Sequence, residues 1–208
     1  MAERCPCSET TDVDTRLARI CPRAGEQVKQ HQPLLHSISR TLKWLGVPHQ
    51  AESGEPFTAD RNLQMDIVVR RGDLESAPNP EYRDKSILAD VTHADPQVQV
   101  HLRAGSADHD GSAASTSEAR KRQHCARPGH VSFDERSHKL ITFAVEGFER
   151  FGVEGSYFTD QLAASAVGGR DGGSMARKGV LKERLLQIAS VTTQVAISRR
   201  LSRFKLQL

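Results

Sequence analysis

The sequence predicts an α/β fold, a small mixed sheet flanked by helices with a long C-terminal helix. Three observations predict it. Two short apolar runs, Met65–Val69 and Ile87–Val91, are crowded with β-branched residues, which suit strands. Residues 26–45 repeat Val28, Leu34, Leu35, Ile38, Leu42 and Leu45 at three- and four-residue spacings, the period of an amphipathic helix. Met175–Arg203 carries a second such stripe, from Val180 through Leu185, Ile188, Val191, Val195 and Ile197 to Leu201.

Taken in order, residues 1–25 form a polar, cysteine-bearing tail, residues 26–169 the α/β domain, and residues 170–208 a hinge and a basic amphipathic helix. In the first helix Pro33 marks the true first turn, because proline lacks the amide that a helix interior needs. Gly46 ends that helix. Trp44 is expected to pack at its end, and His31 and His36 to be surface polar residues. A short strand is expected at Val47–Ala51. Strand Gln64–Val69 sets Met65, Ile67 and Val69 on one face and Asp66 and Val68 on the other. A turn-rich loop with Pro78, Asn79 and Pro80 follows, and Glu81–Lys85 returns the chain to strand Ser86–Val91. Residues 95–104 suit a short helix and residues 105–117 a loop. Glu118–Ala126 suits a basic helix capped by Ser115 or Ser117. Gly129–Asp134 suits a turn and short strand, His138–Val145 a strand, and Tyr157–Val167 a helix closed by Gly168.

Bulk properties exclude some classes. The chain has 208 residues, enough for one sizeable core. No apolar run approaches a membrane span, and MAERCPCSET has no apolar signal core. An intracellular setting is expected, with the nucleus as the candidate compartment. The four cysteines, at 5, 7, 21 and 125, suggest no disulfide framework. Cys5, Cys7 and Cys21 with His31 or His36 would supply four zinc ligands, but the one-residue gap in Cys5-Pro6-Cys7 is poor for structural zinc. No structural zinc is expected. The net charge of +3 does not by itself demand a polyanion, so the clustering of cations matters more.

The residues with chemistry to offer lie around the two predicted strands. Asp66 and Asp90 each sit on or beside one of them, and two carboxylates from neighbouring strands can be enough protein for a magnesium or manganese ion. Glu52 lies on the preceding connection, within reach of the same metal. Lys121 lies on the following basic helix, placed to stabilise charge on a transferring phosphoryl group. Arg70, Arg71, Arg120, Arg122 and His124 are candidates for contacts to a nucleic-acid backbone. The same pattern also suits an ordinary α/β domain with edge charges and a solvated basic run.

These residues resemble the restriction-endonuclease-like domain at the C-terminal end of reverse-transcriptase polyproteins from non-long-terminal-repeat retrotransposons. The resemblance covers Cys5 to Leu162. Asp66 matches the family's first aspartate, with Met65 where the family has proline. Asp90 in LADVTH matches the second, Lys121 the lysine of the following helix, and Glu52 the glutamate after the first helix. His124 takes the second basic position and Cys125 that of a tyrosine. Thr92 stands where restriction-type cores usually carry lysine, and Ala18 and Arg19 replace the histidine of the family's zinc knuckle. The resemblance implies a metal-dependent DNA endonuclease, or a catalytically silent retroelement relic that still binds nucleic acid or serves as an interaction module. It further implies DNA and a polymerase domain as partners, and a truncated or degenerate element.

Overall fold

The computed structural model describes residues 26–54, 64–94, 109, 111–125, 134–146, 150–168 and 175–206. The side chains of residues 26–30, 124–125, 175–176 and 200–206 lie outside that description. So do Cys5, Cys7 and Cys21, the helix expected over 95–104, most of Gly129–Asp134 and the hinge at 170–174.

The elements in chain order are α1 (Glu26–Trp44), β1 (Gln50–Ser53), β2 (Met65–Val69), α2 (Pro80–Asp84), β3 (Ser86–Ala94), α3 (Ser112–Cys125), β4 (His138–Glu146), α4 (Val153–Gly168) and α5 (Met175–Leu206). The four strands form one sheet in the order β1-β2-β3-β4. β1 with β2 and β2 with β3 are antiparallel, whereas β3 with β4 is parallel. A parallel neighbour needs a crossover connection, and α3 lies in it. That crossover brings Lys121 of α3 to Asp90 of β3.

The main core sits between the sheet and the helices. Ile67, Val69, Ile87, Ala89, Val91, Ile141, Phe143 and Val145 face it from the strands. Leu34, Leu35, Ile38 and Leu42 of α1, Phe158 and Leu162 of α4, and Leu185 and Ala189 of α5 close it. Each fully buried large apolar side chain contributes about 1.5–3 kcal/mol relative to exposure. A smaller cluster, Met65, Val68 and Leu88, lies apart, with Leu140 against it.

Several local expectations are corrected. Met65 packs with Val68 and Leu88, so it does not share a face with Ile67 and Val69. Strict alternation breaks at Asp66, where β1 offers Glu52 in left-handed backbone at φ 51°. α1 begins at Glu26, seven residues before Pro33, so the proline lies inside the helix. Glu81–Lys85 is no plain return: Asn79 Oδ1 accepts the Glu81 amide at 2.9 Å and starts α2, which buries Tyr82 against Phe158. α3 starts at Ser112, so Ser115 and Ser117 lie inside it. Its first turn is fixed from outside, because the buried Glu146 carboxylate accepts the Ala114 amide at 2.9 Å. On α5 the inward row is Leu185, Ala189, Thr193 and Ala196–Ile197, leaving Val180, Val191 and Val195 exposed. Trp44 is 60% exposed, so it is not a packing residue.

Candidate active site

The pairing of β2 with β3 runs Val69↔Ile87, Val68↔Leu88 and Ile67↔Ala89. Continued one residue, the same register sets Asp66 level with Asp90. Directly opposed residues of an antiparallel pair bring their side chains within interaction range. The Asp66 carboxyl is close enough to Asp90 to push that carboxyl up. Its Oδ2 also accepts the Val91 amide at 2.6 Å, a position a backbone carbonyl would otherwise take. The Asp66 side chain is therefore held against β3 by the sheet's own hydrogen-bonding groups.

Two basic side chains meet this pair. Lys121 Nζ, from α3, stands 2.7 Å from Asp90 Oδ2. His31 Nε2, from α1, stands 3.0 Å from Asp66 Oδ2. Burial pushes the Asp90 carboxyl up from its ordinary value, Lys121 pulls it down, and Asp66 pushes it up again. Burial is the largest of these effects, because a carboxylate loses hydration there. His31 is raised, chiefly by its hydrogen bond to Asp66, against the opposing effect of burial. On β4, Thr142 pairs in register with Asp90, and its buried Oγ1 has no hydrogen-bond partner.

The remaining candidates are not gathered here. Glu52 stands level with Asp66 by the β1–β2 register, but it is exposed and its Oε1 accepts from Gln32 Nε2 at 2.8 Å. Arg70 and Arg71 follow β2, with Arg70 about 13 Å along the strand from Asp66 at ordinary strand rise and Arg71 beyond it in the turn. Their amides are tied to Asp73 and to Ser86. Arg120 is exposed on α3. Arg122 Nε pairs with Glu154 Oε1 at 3.0 Å. His124 is in α3, with its side chain outside the described residues.

His31 is the residue that the sequence reading missed. It was expected on the surface, yet its side chain is only 29% exposed and contacts Asp66. A signal was present. His31 precedes Leu34 and Leu35 by three and four positions, so it belongs to the inward stripe of α1. A polar residue on an apolar stripe marks a buried partner.

Three further acids are structural. Glu118 is 1% exposed, and its Oε1 accepts the amides of Glu154 at 3.0 Å and Gly155 at 3.3 Å, capping α4. Glu154 Oε2 in turn accepts the Thr142 amide at 2.8 Å, on the outer edge of β4. Glu146 holds the start of α3. Through these contacts α3, α4 and β4 are locked together, which fixes the backbone that carries Lys121.

Among the described residues no set of three or more His, Cys, Asp or Glu side chains is grouped to hold a metal ion. No described helix is long and apolar enough to cross a membrane. Compared with family models, with curated proteins and with solved structures, the chain matches none.

Proposed function

We propose that the chain is a metal-dependent DNA endonuclease domain with a restriction-endonuclease-like core, derived from a retrotransposon. The observation that carries this reading is the meeting of Asp66, Asp90 and Lys121 from two adjacent strands and the crossover helix. The donor set fits a hard divalent cation: two opposed carboxylates, one in an environment that resists its charge, beside a buried hydroxyl without a partner. Asp66 and Asp90 would hold magnesium or manganese. When bound, that ion supplies charge neutralisation and an activated water for phosphodiester hydrolysis.

The chain's own groups have defined tasks. Asp66 is fixed by the Val91 amide and by His31, so one of its oxygens is held in place before any ligand arrives. Lys121 is within reach of Asp90 and is 43% exposed, so its ammonium can pass from the carboxylate to a phosphoryl oxygen. That places a fixed positive charge where negative charge develops. Arg120 is exposed on the same helix and is available to the phosphate backbone. Contacts of this kind give salt-dependent binding with little base preference.

The test is nicking of supercoiled plasmid in magnesium or manganese by the wild type and by Asp90→Ala. The wild type is expected to nick and the variant to be inactive. Equal nicking by both removes this site from the reaction. Absence of nicking by a folded wild type leaves the second reading, a silent relic that retains nucleic-acid binding.

A further inference from the structure

One side of α1 stays outside the core, and it is cationic. His36, Arg40, Lys43 and Trp44 are exposed there. Between α1 and α5 runs a groove of about 760 Å³, bordered by Gln32, His36, Arg40, Trp44, Ile188 and Thr192. Its lining contains no Asp or Glu among the described residues. The Arg184 guanidinium, from α5, stands 5.4 Å from the centroid of the Trp44 ring.

An indole left 60% in water gives up most of the burial that aromatic side chains usually supply. Flanked by cations, it has the chemistry of a stacking platform for unpaired bases, with the cations on the intervening phosphates. The position supports the same assignment. The groove starts at Gln32, next to the histidine that holds Asp66, and ends at Trp44, about 18 Å away along the helix axis. We infer that this groove binds a single-stranded nucleic-acid segment, with a base on Trp44 and phosphates on Arg40, Lys43 and Arg184. A duplex has its base faces already stacked and offers Trp44 nothing to cover. An apolar helical peptide would suit Ile188 and the ring but leave the cations without partners. The groove involves neither Asp66 nor Asp90, so binding there requires no divalent ion and stands apart from the cleavage reading.

Trp44 is the single tryptophan of the chain, so its fluorescence reports this site directly. The full chain carrying Asp90→Ala is titrated in EDTA at low salt with an oligothymidylate of about 12 nucleotides, a length suited to one binding groove. A duplex of equal length and an apolar helical peptide are titrated alongside. The oligothymidylate is expected to quench Trp44 to saturation and the duplex to quench weakly. With a dye-labelled oligothymidylate, Trp44→Ala raises Kd at least about fivefold, the lower end of a stacking contact. Trp44→Phe stays close to the parent, and Arg40→Glu weakens binding and flattens its salt dependence. Melting curves matching the parent show that these exposed substitutions leave the fold intact. Binding of the oligothymidylate without a change in Trp44 fluorescence overturns the assignment. So does unchanged affinity in Trp44→Ala, or quenching by the peptide and not by the oligothymidylate.

Discussion

Lys121 Nζ lies 2.7 Å from Asp90 Oδ2, and the two residues come from different elements joined by the β3–β4 crossover. The ammonium offsets a charge that burial would otherwise disfavour. Replacing it in Lys121→Met is expected to push the Asp90 carboxyl further up and, on the proposed function, to lower kcat about 100-fold. Carboxyl titration by NMR and nicking rates measure the two effects separately. A shift in titration without a loss of rate would make Lys121 a structural partner of Asp90 only.

Asp90 also makes a prediction about stability. Its folded-state value is raised, so the folded form favours the protonated acid. The contribution to stability is present below the ordinary carboxyl value near 3.8 and is lost as pH rises through the raised value. At neutral pH the charged Asp90 therefore weakens the fold. Asp90→Asn removes that cost and is expected to raise stability at pH 7. The gain fades as pH falls towards the carboxyl range. Urea unfolding across that range checks the direction.

His31 has a pH signature of the same sign, in a higher window. A raised histidine adds stability that is fully present below its ordinary value of 6.5 and is lost as pH rises through the folded value. His31→Ala should therefore cost most in acid and least in alkali, up to about 1 kcal/mol for a partly exposed pair. The difference between wild type and variant, followed by urea unfolding at about pH 5.5, 7 and 8.5, gives the curve. A flat difference would mean that the pair contributes through packing alone.

Much of this architecture was legible in the chain. The strands centred on Ile67, Leu88 and Phe143 and the helices on Leu35 and Leu162 follow from periodicity, because burial of one face dictates it. What escaped depends on partners distant in sequence. Ser112–Ser117 looks like a loop by composition, yet Glu146 supplies the hydrogen bond that lets the helix begin there. The stripe on α5 was legible in part: Leu181, Leu185 and Ile197 turn inward, but Val180, Val191 and Val195 are exposed and the small residues Ala189 and Thr193 are buried instead. Within the site, Asp66, Asp90 and Lys121 were legible as types. The level pairing of the two acids is a matter of register, which no local pattern sets. Arg70 and Arg71 follow Asp66 by only four and five residues, but the strand carries them to its other end.

Gly152 and Glu118 form a second testable pair. A methyl group at Gly152 would fall 2.0 Å from Glu118 Oε1. That carboxylate is buried and already accepts two amides at the start of α4, so displacing it breaks the cap. Gly152→Ala is expected to cost about 2 kcal/mol, as strong helix caps do. In the Glu118→Ala background the methyl group meets no carboxylate, so the double variant should lose less than the two single costs together. Urea unfolding of the four proteins closes the cycle, and simple additivity would show that the glycine serves some other purpose.

The most direct measurement is the binding of Mn²⁺ to the purified full chain, followed by electron paramagnetic resonance of the free ion. One site per chain is expected, weakened strongly in Asp66→Asn and in Asp90→Asn and unaffected by Trp44→Phe. Retention of the wild-type affinity in Asp90→Asn, or no binding by the folded wild type, would contradict a shared cation between these two strands.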